Sequence, residues 1–153
     1  MKKTVPEGHT ELKKEVSEMN MAGDIMIFGP SENRRLTVHF EVDEFRCPCC
    51  GVAIVTRPLL RQLELLREKV GEPIRVTSGY RCPKHNAEVG GSETSLHMAG
   101  CAVDIVVDGM DMRKLARLAG ECWFEGILVY EDHVHLDTRS DPYVRLDPPG
   151  SGR

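Results

Sequence analysis

The 153-residue chain reads as an α+β protein, a small antiparallel sheet flanked by helices. Three observations predict this. Two stretches, 56–70 and 112–122, repeat apolar residues at helical spacing. Short β-branched runs at 74–77, 102–107 and 126–130 are bounded by turn-forming or charged residues, as strands are. The run His133-Val134-His135-Leu136-Asp137 alternates polar and apolar, so His133, His135 and Asp137 share one strand face.

This length suits one domain with a sizeable core. The formal net charge of −4 leaves no basic footprint for nucleic acid. No apolar run is long enough to cross a membrane. Met1-Lys2-Lys3 is basic, but Val5-Pro6-Glu7-Gly8-His9 follows without an apolar h-region. The expectation is therefore no signal peptide and a cytoplasmic location as synthesised.

In chain order, Leu12, Val16 and Met19 form one apolar stripe of a short amphipathic helix. Ile25 to Phe28 is a strand or a packed arm, and Gly29 to Asn33 is a turn. His39 is read as structural. Thr56-Arg57-Pro58 opens the first long helix, with proline in its first turn. Its core face is Leu59, Leu60, Leu63, Leu66 and Val70; Arg61, Glu64, Arg67 and Glu68 point outward, and Gly71 and Pro73 stop it. Ile74 to Thr77 is a strand that delivers Ser78-Gly79-Tyr80-Arg81, and His85-Asn86 orders the loop that follows. Asp111 caps a second helix running to Cys122. Trp123 and Phe124 are expected to seal the core. Strands at 126–130 and 133–139 follow, and the proline- and glycine-rich tail after Asp141 is expected to be loosely attached.

Two groups of residues carry chemistry. Cys47, Cys49 and Cys50 stand within four residues, with Cys82 farther along. These four thiols could build a closed structural zinc site, with His85 as a substitute ligand. Buried free thiols, or disulfides in an exported protein, are the alternatives. Cys101 and Cys122 read as small buried hydrophobes. The second group is His97, Asp104 and His135. Two imidazoles and a carboxylate bind a divalent metal and leave a position for water. Taken as residue types alone, the same pattern also fits two chance histidines on a strand and a carboxylate in an ion pair.

Ser78-Gly79-Tyr80-Arg81-Cys82-Pro83-Lys84-His85-Asn86, Val89-Gly90-Gly91, Ser95-x-His97-x-x-Gly100-x-Ala102-x-Asp104 and His135-Leu136-Asp137 occur in this order. Together they resemble the zinc D-Ala-D-Ala carboxypeptidase family of metallopeptidases. The closest branch is that of small zinc carboxypeptidases and phage endolysins, relatives of D,D-dipeptidases and of the hedgehog signalling domain. The resemblance runs from about Leu36 to about Arg139. It implies a hedgehog/DD-peptidase-like fold over residues 36–140, with 1–35 as an N-terminal extension and 141–153 as a C-terminal tail.

The resemblance also implies one catalytic zinc on His97, Asp104 and His135. A second, structural ion at Cys47, Cys49, Cys50 and Cys82 stays open. Arg81 takes the position that grips the substrate carboxylate, and Ser95 hydrogen-bonds substrate or orients His97. Asp132 is the expected general base and His133 the oxyanion stabiliser, with Glu131 a third candidate and Asp137 holding an imidazole from behind. The implied substrate is the peptidoglycan stem peptide, cut near D-alanine by a monomeric D,D-carboxypeptidase or endopeptidase, of phage or prophage origin. The competing expectation is a non-catalytic zinc-containing binding module of the hedgehog-like fold.

Overall fold

A computed structural model describes residues 24–149. The helix expected around Leu12, Val16 and Met19 lies outside the described residues. Strand β1 (Ile25–Phe28) pairs antiparallel with β2 (Ala53–Thr56), so the expected arm is a strand. Between them a 3-10 turn at Val42–Phe45 buries Val42 and Phe45. Helix α1 (Arg57–Val70) follows β2 directly, with Pro58 in its first turn, and Gly71 ends it. That glycine has φ of +72° and its N–H bonds Arg67 O, a left-handed cap that costs glycine nothing.

The main sheet has five strands in the order β3 (Arg75–Ser78), β4 (Ala102–Val106), β6 (Val134–Asp137), β5 (Gly126–Val129), β7 (Tyr143–Arg145). The β3–β4, β4–β6 and β6–β5 pairs are antiparallel, and β7 runs parallel to β5. The expected loose attachment of the tail therefore fails at residues 143–145: Gly126 to Leu128 is an edge with free backbone groups, and pairing with β7 satisfies them. Helix α2 (Pro83–Glu88) follows β3, and α3 (Met112–Gly120) joins β4 to β5. The Asp111 carboxylate accepts from Lys114 N–H at 3.1 Å, as expected of its N-cap.

The strand period separates the two faces of this sheet. Val103, Ile105, Val134, Leu136, Ile127 and Val129 belong to the buried core with Leu59, Leu63, Leu66, Leu115 and Ala119 of the helices. The opposite face carries a row set by register: Ser78 opposite Asp104, Asp104 opposite His135, His135 opposite Leu128. A slip of one residue would send His135 into the core and Leu136 to the cleft, so apolar burial on one face fixes polar placement on the other.

Several local expectations need correction. Phe124 is buried, but Trp123 is 37% exposed, because its left-handed φ of +70° swings it out of the turn before β5. Cys122 is buried while Cys101 is only half-buried. Glu64 is not simply solvated: its carboxylate accepts from His39 N–H at 2.6 Å and faces His39 Nδ1 at 2.9 Å, pinning the loop before the 3-10 turn to α1. No helix among the described residues is long and apolar enough to cross a membrane.

Candidate metal centre and active site

His97 reaches the sheet from a 3-10 turn at Leu96–Ala99. Ser95 Oγ accepts from His97 N–H at 3.3 Å and starts that turn. Gly100 ends it with φ of +72°, and its carbonyl accepts from Thr56 N–H at 3.0 Å. A Cβ at Gly100 would stand 2.6 Å from Ile54 O, so only glycine lets the turn dock on β2 this closely.

His97, Asp104 and His135 each offer one ligand atom, and these lie within 4.8 Å of one another. His97 Nε2 is 3.2 Å from Asp104 Oδ1 and 3.2 Å from His135 Nδ1, and His135 Nδ1 is 3.1 Å from Asp104 Oδ1. The other ring nitrogens settle the protons. His97 Nδ1 is 2.8 Å from the carbonyl of Gly79, which can only accept, so Nδ1 carries the hydrogen. His135 Nε2 is 2.7 Å from Asp137 Oδ2 and donates in the same way. In the neutral rings, two imidazole lone pairs then meet a carboxylate with no proton among them. Three acceptors facing one another are the donor set of a cation. Zinc bonds of about 2.0–2.2 Å in a tetrahedron put ligands about 3.3–3.6 Å apart, close to what is found here. These residues fit a zinc ion.

Charges around the trio are arranged to hold it. With no ion between them the rings would take up protons instead: burial pushes the Asp104 carboxyl up, but protonated His135 and His97 beside it outweigh this and hold it well below the usual carboxylate range. Burial pushes His135 down, while Asp104 and Asp137 pull it up more strongly. Asp137 is fully buried, and Arg139 and His135 keep its carboxyl ionised against that burial. Arg139 donates from Nε at 2.8 Å, from Nη2 at 2.6 Å and from its backbone N–H at 3.1 Å. Gly126 makes room for this carboxylate: a Cβ there would lie 2.0 Å from Asp137 Oδ1.

A cleft of about 700 Å³ opens over the trio, walled by Arg81, the loop from Val89 to Leu96, Tyr130, His133 and Arg139. Arg81 donates from Nη2 to Asp104 Oδ2 at 3.0 Å and from Nε to Ser78 Oγ at 3.0 Å. Asn86 bonds Ser92 O at 2.8 Å and ties down the glycine-rich part of that loop, as expected of His85-Asn86. Asp132 and His133 occupy unequal positions. His133 lines the cleft, with Nε2 3.8 Å from Asp104 Oδ2. Asp132 is 88% exposed, stands outside the cleft lining, and its Oδ1 is 2.6 Å from His133 Nδ1. That contact puts the His133 proton on Nδ1 and leaves the Nε2 lone pair facing the trio.

A family model described as Peptidase M15 matches residues 38–137, which contain every one of these residues except Arg139. The chain belongs to the peptidase M15 family. This is a family of zinc-dependent metallopeptidases, which agrees with the donor set. Among similar proteins, the zinc D-Ala-D-Ala carboxypeptidase of Streptomyces albus G is 33% identical over 81 residues, 49% of this chain and 32% of that protein. The Indian hedgehog protein of Gallus gallus is 36% identical over 84 residues, 52% of this chain and 19% of that protein. The chain thus spans a third or less of the length of these relatives. Both likenesses agree with the α+β, hedgehog/DD-peptidase-like fold.

Some of the site was not singled out in the sequence. Arg139, the Gly79 carbonyl, Ser78 and Tyr130 all hold functional groups in place. Tyr130 stacks on His133 with centroids 4.5 Å apart and planes at 10°, and Arg145 lies over Tyr130 at 4.8 Å. For Arg139 a signal existed: the polar alternation of His133, His135 and Asp137 continues one step further to it. The Gly79 carbonyl left none, since backbone atoms have no sequence signature. Of the four thiols, Cys47, Cys50 and Cys82 come together, while Cys49 is exposed and outside that trio; the His85 imidazole pairs with Glu88 at 3.8 Å.

Proposed function

We propose that this chain is a zinc-dependent peptidase that hydrolyses D-Ala-containing peptides of the bacterial wall stem, as a D,D-carboxypeptidase or endopeptidase. The observation that carries the reading is the convergence of His97 Nε2, Asp104 Oδ1 and His135 Nδ1 beneath an open cleft walled by Arg81 and His133. A zinc ion held by these three would supply a water of lowered pKa and a Lewis acid for the scissile carbonyl. The substrate follows from the likeness to the Streptomyces enzyme.

The chain's own residues then divide the work. Asp137 and the Gly79 carbonyl keep the two imidazoles in the tautomer that leaves a lone pair toward the ion. His133 Nε2 takes a proton and returns it to the leaving amine, with Asp132 behind it fixing the tautomer and stabilising the imidazolium. This reverses the expected division, in which Asp132 was the base and His133 the oxyanion stabiliser. It rests on the exposure of Asp132 and the reach of His133. Glu131 is exposed and takes no part. Arg81 binds the substrate carboxylate from the cleft wall. Ser95 acts by starting the turn that carries His97.

The test measures zinc per chain and D-alanine release from a stem peptide, on the parent and on His97→Ala, His133→Ala and Asp132→Ala. The expected result is loss of zinc and turnover in His97→Ala. His133→Ala should keep zinc and lose about 10²–10⁴-fold in turnover, the usual worth of a general base. Asp132→Ala should lose less than His133→Ala. A larger loss in Asp132→Ala would restore it as the base. Zinc bound through His97 without cleavage of any stem peptide would favour the binding-module reading.

A further inference from the structure

The cysteine cluster lies outside the cleft and takes no part in the chemistry above. Cys47, Cys50 and Cys82 are unbridged, and their three sulfurs lie within 4.8 Å of one another. Two loops bring them together. In the first, Cys47-Pro48-Cys49-Cys50-Gly51 turns back on itself, with Gly51 N–H bonded to Cys47 O at 2.8 Å and Gly51 at φ of +78°. A Cβ on Gly51 would also meet Pro30 Cβ at 3.0 Å. In the second, Cys82 caps α2.

Backbone donors point at the sulfurs. Cys82 N–H approaches Cys47 Sγ at 3.4 Å, and His85 N–H approaches Cys82 Sγ at 3.4 Å. Cys49 is exposed and lies between Cys47 and Cys50 on the same loop. A neutral thiol is a weak acceptor, so backbone N–H groups aimed at two of the three sulfurs form an environment for thiolate. Three adjacent thiolates need a cation between them. Soft sulfur ligands in near-tetrahedral array select zinc over hard cations.

We propose that Cys47, Cys50 and Cys82 hold a second, structural zinc ion, with the Cys49 thiol turning in from solvent as the fourth ligand. The site is closed to substrate. It joins the loop after the 3-10 turn to the segment that carries Gly79 and Arg81. Tyr80 N–H already bonds Phe45 O at 2.9 Å, and a Cβ on Gly79 would collide with Phe45 Cα at 2.6 Å, so the two segments are in direct contact. An ion one residue beyond Arg81 locks that contact and the position of the guanidinium.

The experiment counts zinc per chain and records cobalt-substituted spectra. The parent is expected to carry two zinc ions, His97→Ala one, and Cys47→Ser/Cys50→Ser one. His97→Ala loaded with cobalt should show sulfur-to-metal charge-transfer absorption, lost on adding Cys82→Ser and weakened by Cys49→Ser. If the serine variants fail to fold, the cobalt spectrum of His97→Ala decides by itself. The site is refuted by a single zinc in the parent that vanishes with His97, by absence of the charge-transfer band, or by an intact mass showing a disulfide among these cysteines in protein purified under nitrogen. An unchanged band in Cys49→Ser overturns the fourth ligand. None of these outcomes depends on peptide cleavage, so this site and the peptidase reading fail separately.

Discussion

Asp137→Asn isolates the support behind the proposed metal site. Asp137 is fully buried and accepts four hydrogen bonds on two oxygens: His135 Nε2 and Arg139 Nη2 on Oδ2, Arg139 Nε and N–H on Oδ1. Asparagine keeps the shape but turns one oxygen into a donor. With its NH2 toward His135, donor faces donor, and the ring escapes by moving its proton to Nδ1, the nitrogen that faces Asp104 and His97. With its NH2 toward Arg139, the guanidinium loses its charged partner. Either way the ligand nitrogen is less available. Losing such a support costs about 10–100-fold in metal affinity, or about 1.4–2.7 kcal/mol. The assay is competition with a chromophoric chelator for the zinc that His97→Ala removes, alongside thermal unfolding of the metal-free protein. Gly126→Ala is the companion, because its Cβ displaces the same carboxylate without altering charge; it should weaken zinc in the same direction. Zinc affinity of folded Asp137→Asn within about twofold of the parent would refute the reasoning.

Three further outcomes are expected. Gly100→Ala should destabilise the fold by more than the ~1–2 kcal/mol of a left-handed alanine, because its Cβ also meets Ile54 O at 2.6 Å; urea unfolding measures it. Arg81→Lys keeps the charge but loses the planar fork, so KM for a carboxylate-ended peptide should rise about 10-fold or more, with little effect on a peptide whose C-terminus is amidated. The third concerns pH. Burial raises the Glu64 carboxyl, but His39 and Thr37 lower it further, to a net depressed value. A depressed carboxyl contributes stability that is present above its unfolded pKa of about 4.3 and lost as pH falls below it. Glu64→Gln should therefore destabilise the protein at neutral pH and flatten its loss of stability below about pH 4, as read by denaturant unfolding across pH.

Local signals made most of the elements legible. Helix α1 could be bounded because Pro58 and Gly71 act within one turn of chain, and its buried Leu59, Leu60, Leu63 and Leu66 repeat at helical spacing. The pairing of Asp104 with His135 was readable because strand alternation puts each on the polar face, and the two strands are antiparallel neighbours. Trp123 misled because size and apolarity predict burial, whereas a left-handed backbone decided its direction. The tail misled because β7 has only three residues and draws its order from the edge of β5, which composition does not encode.

By itself the sequence determined which donors exist, which strand face each takes, and the family that their order marks out. Only the tertiary structure decided how they work together. It set His133 in the cleft and Asp132 behind it, put Arg139 and Gly79 O at the back of the His97–Asp104–His135 trio, and gathered three of four clustered thiols from segments 35 residues apart. Spacing along a chain fixes the face a side chain takes. Distances between faces come from packing, which is set by the burial of residues far away in sequence.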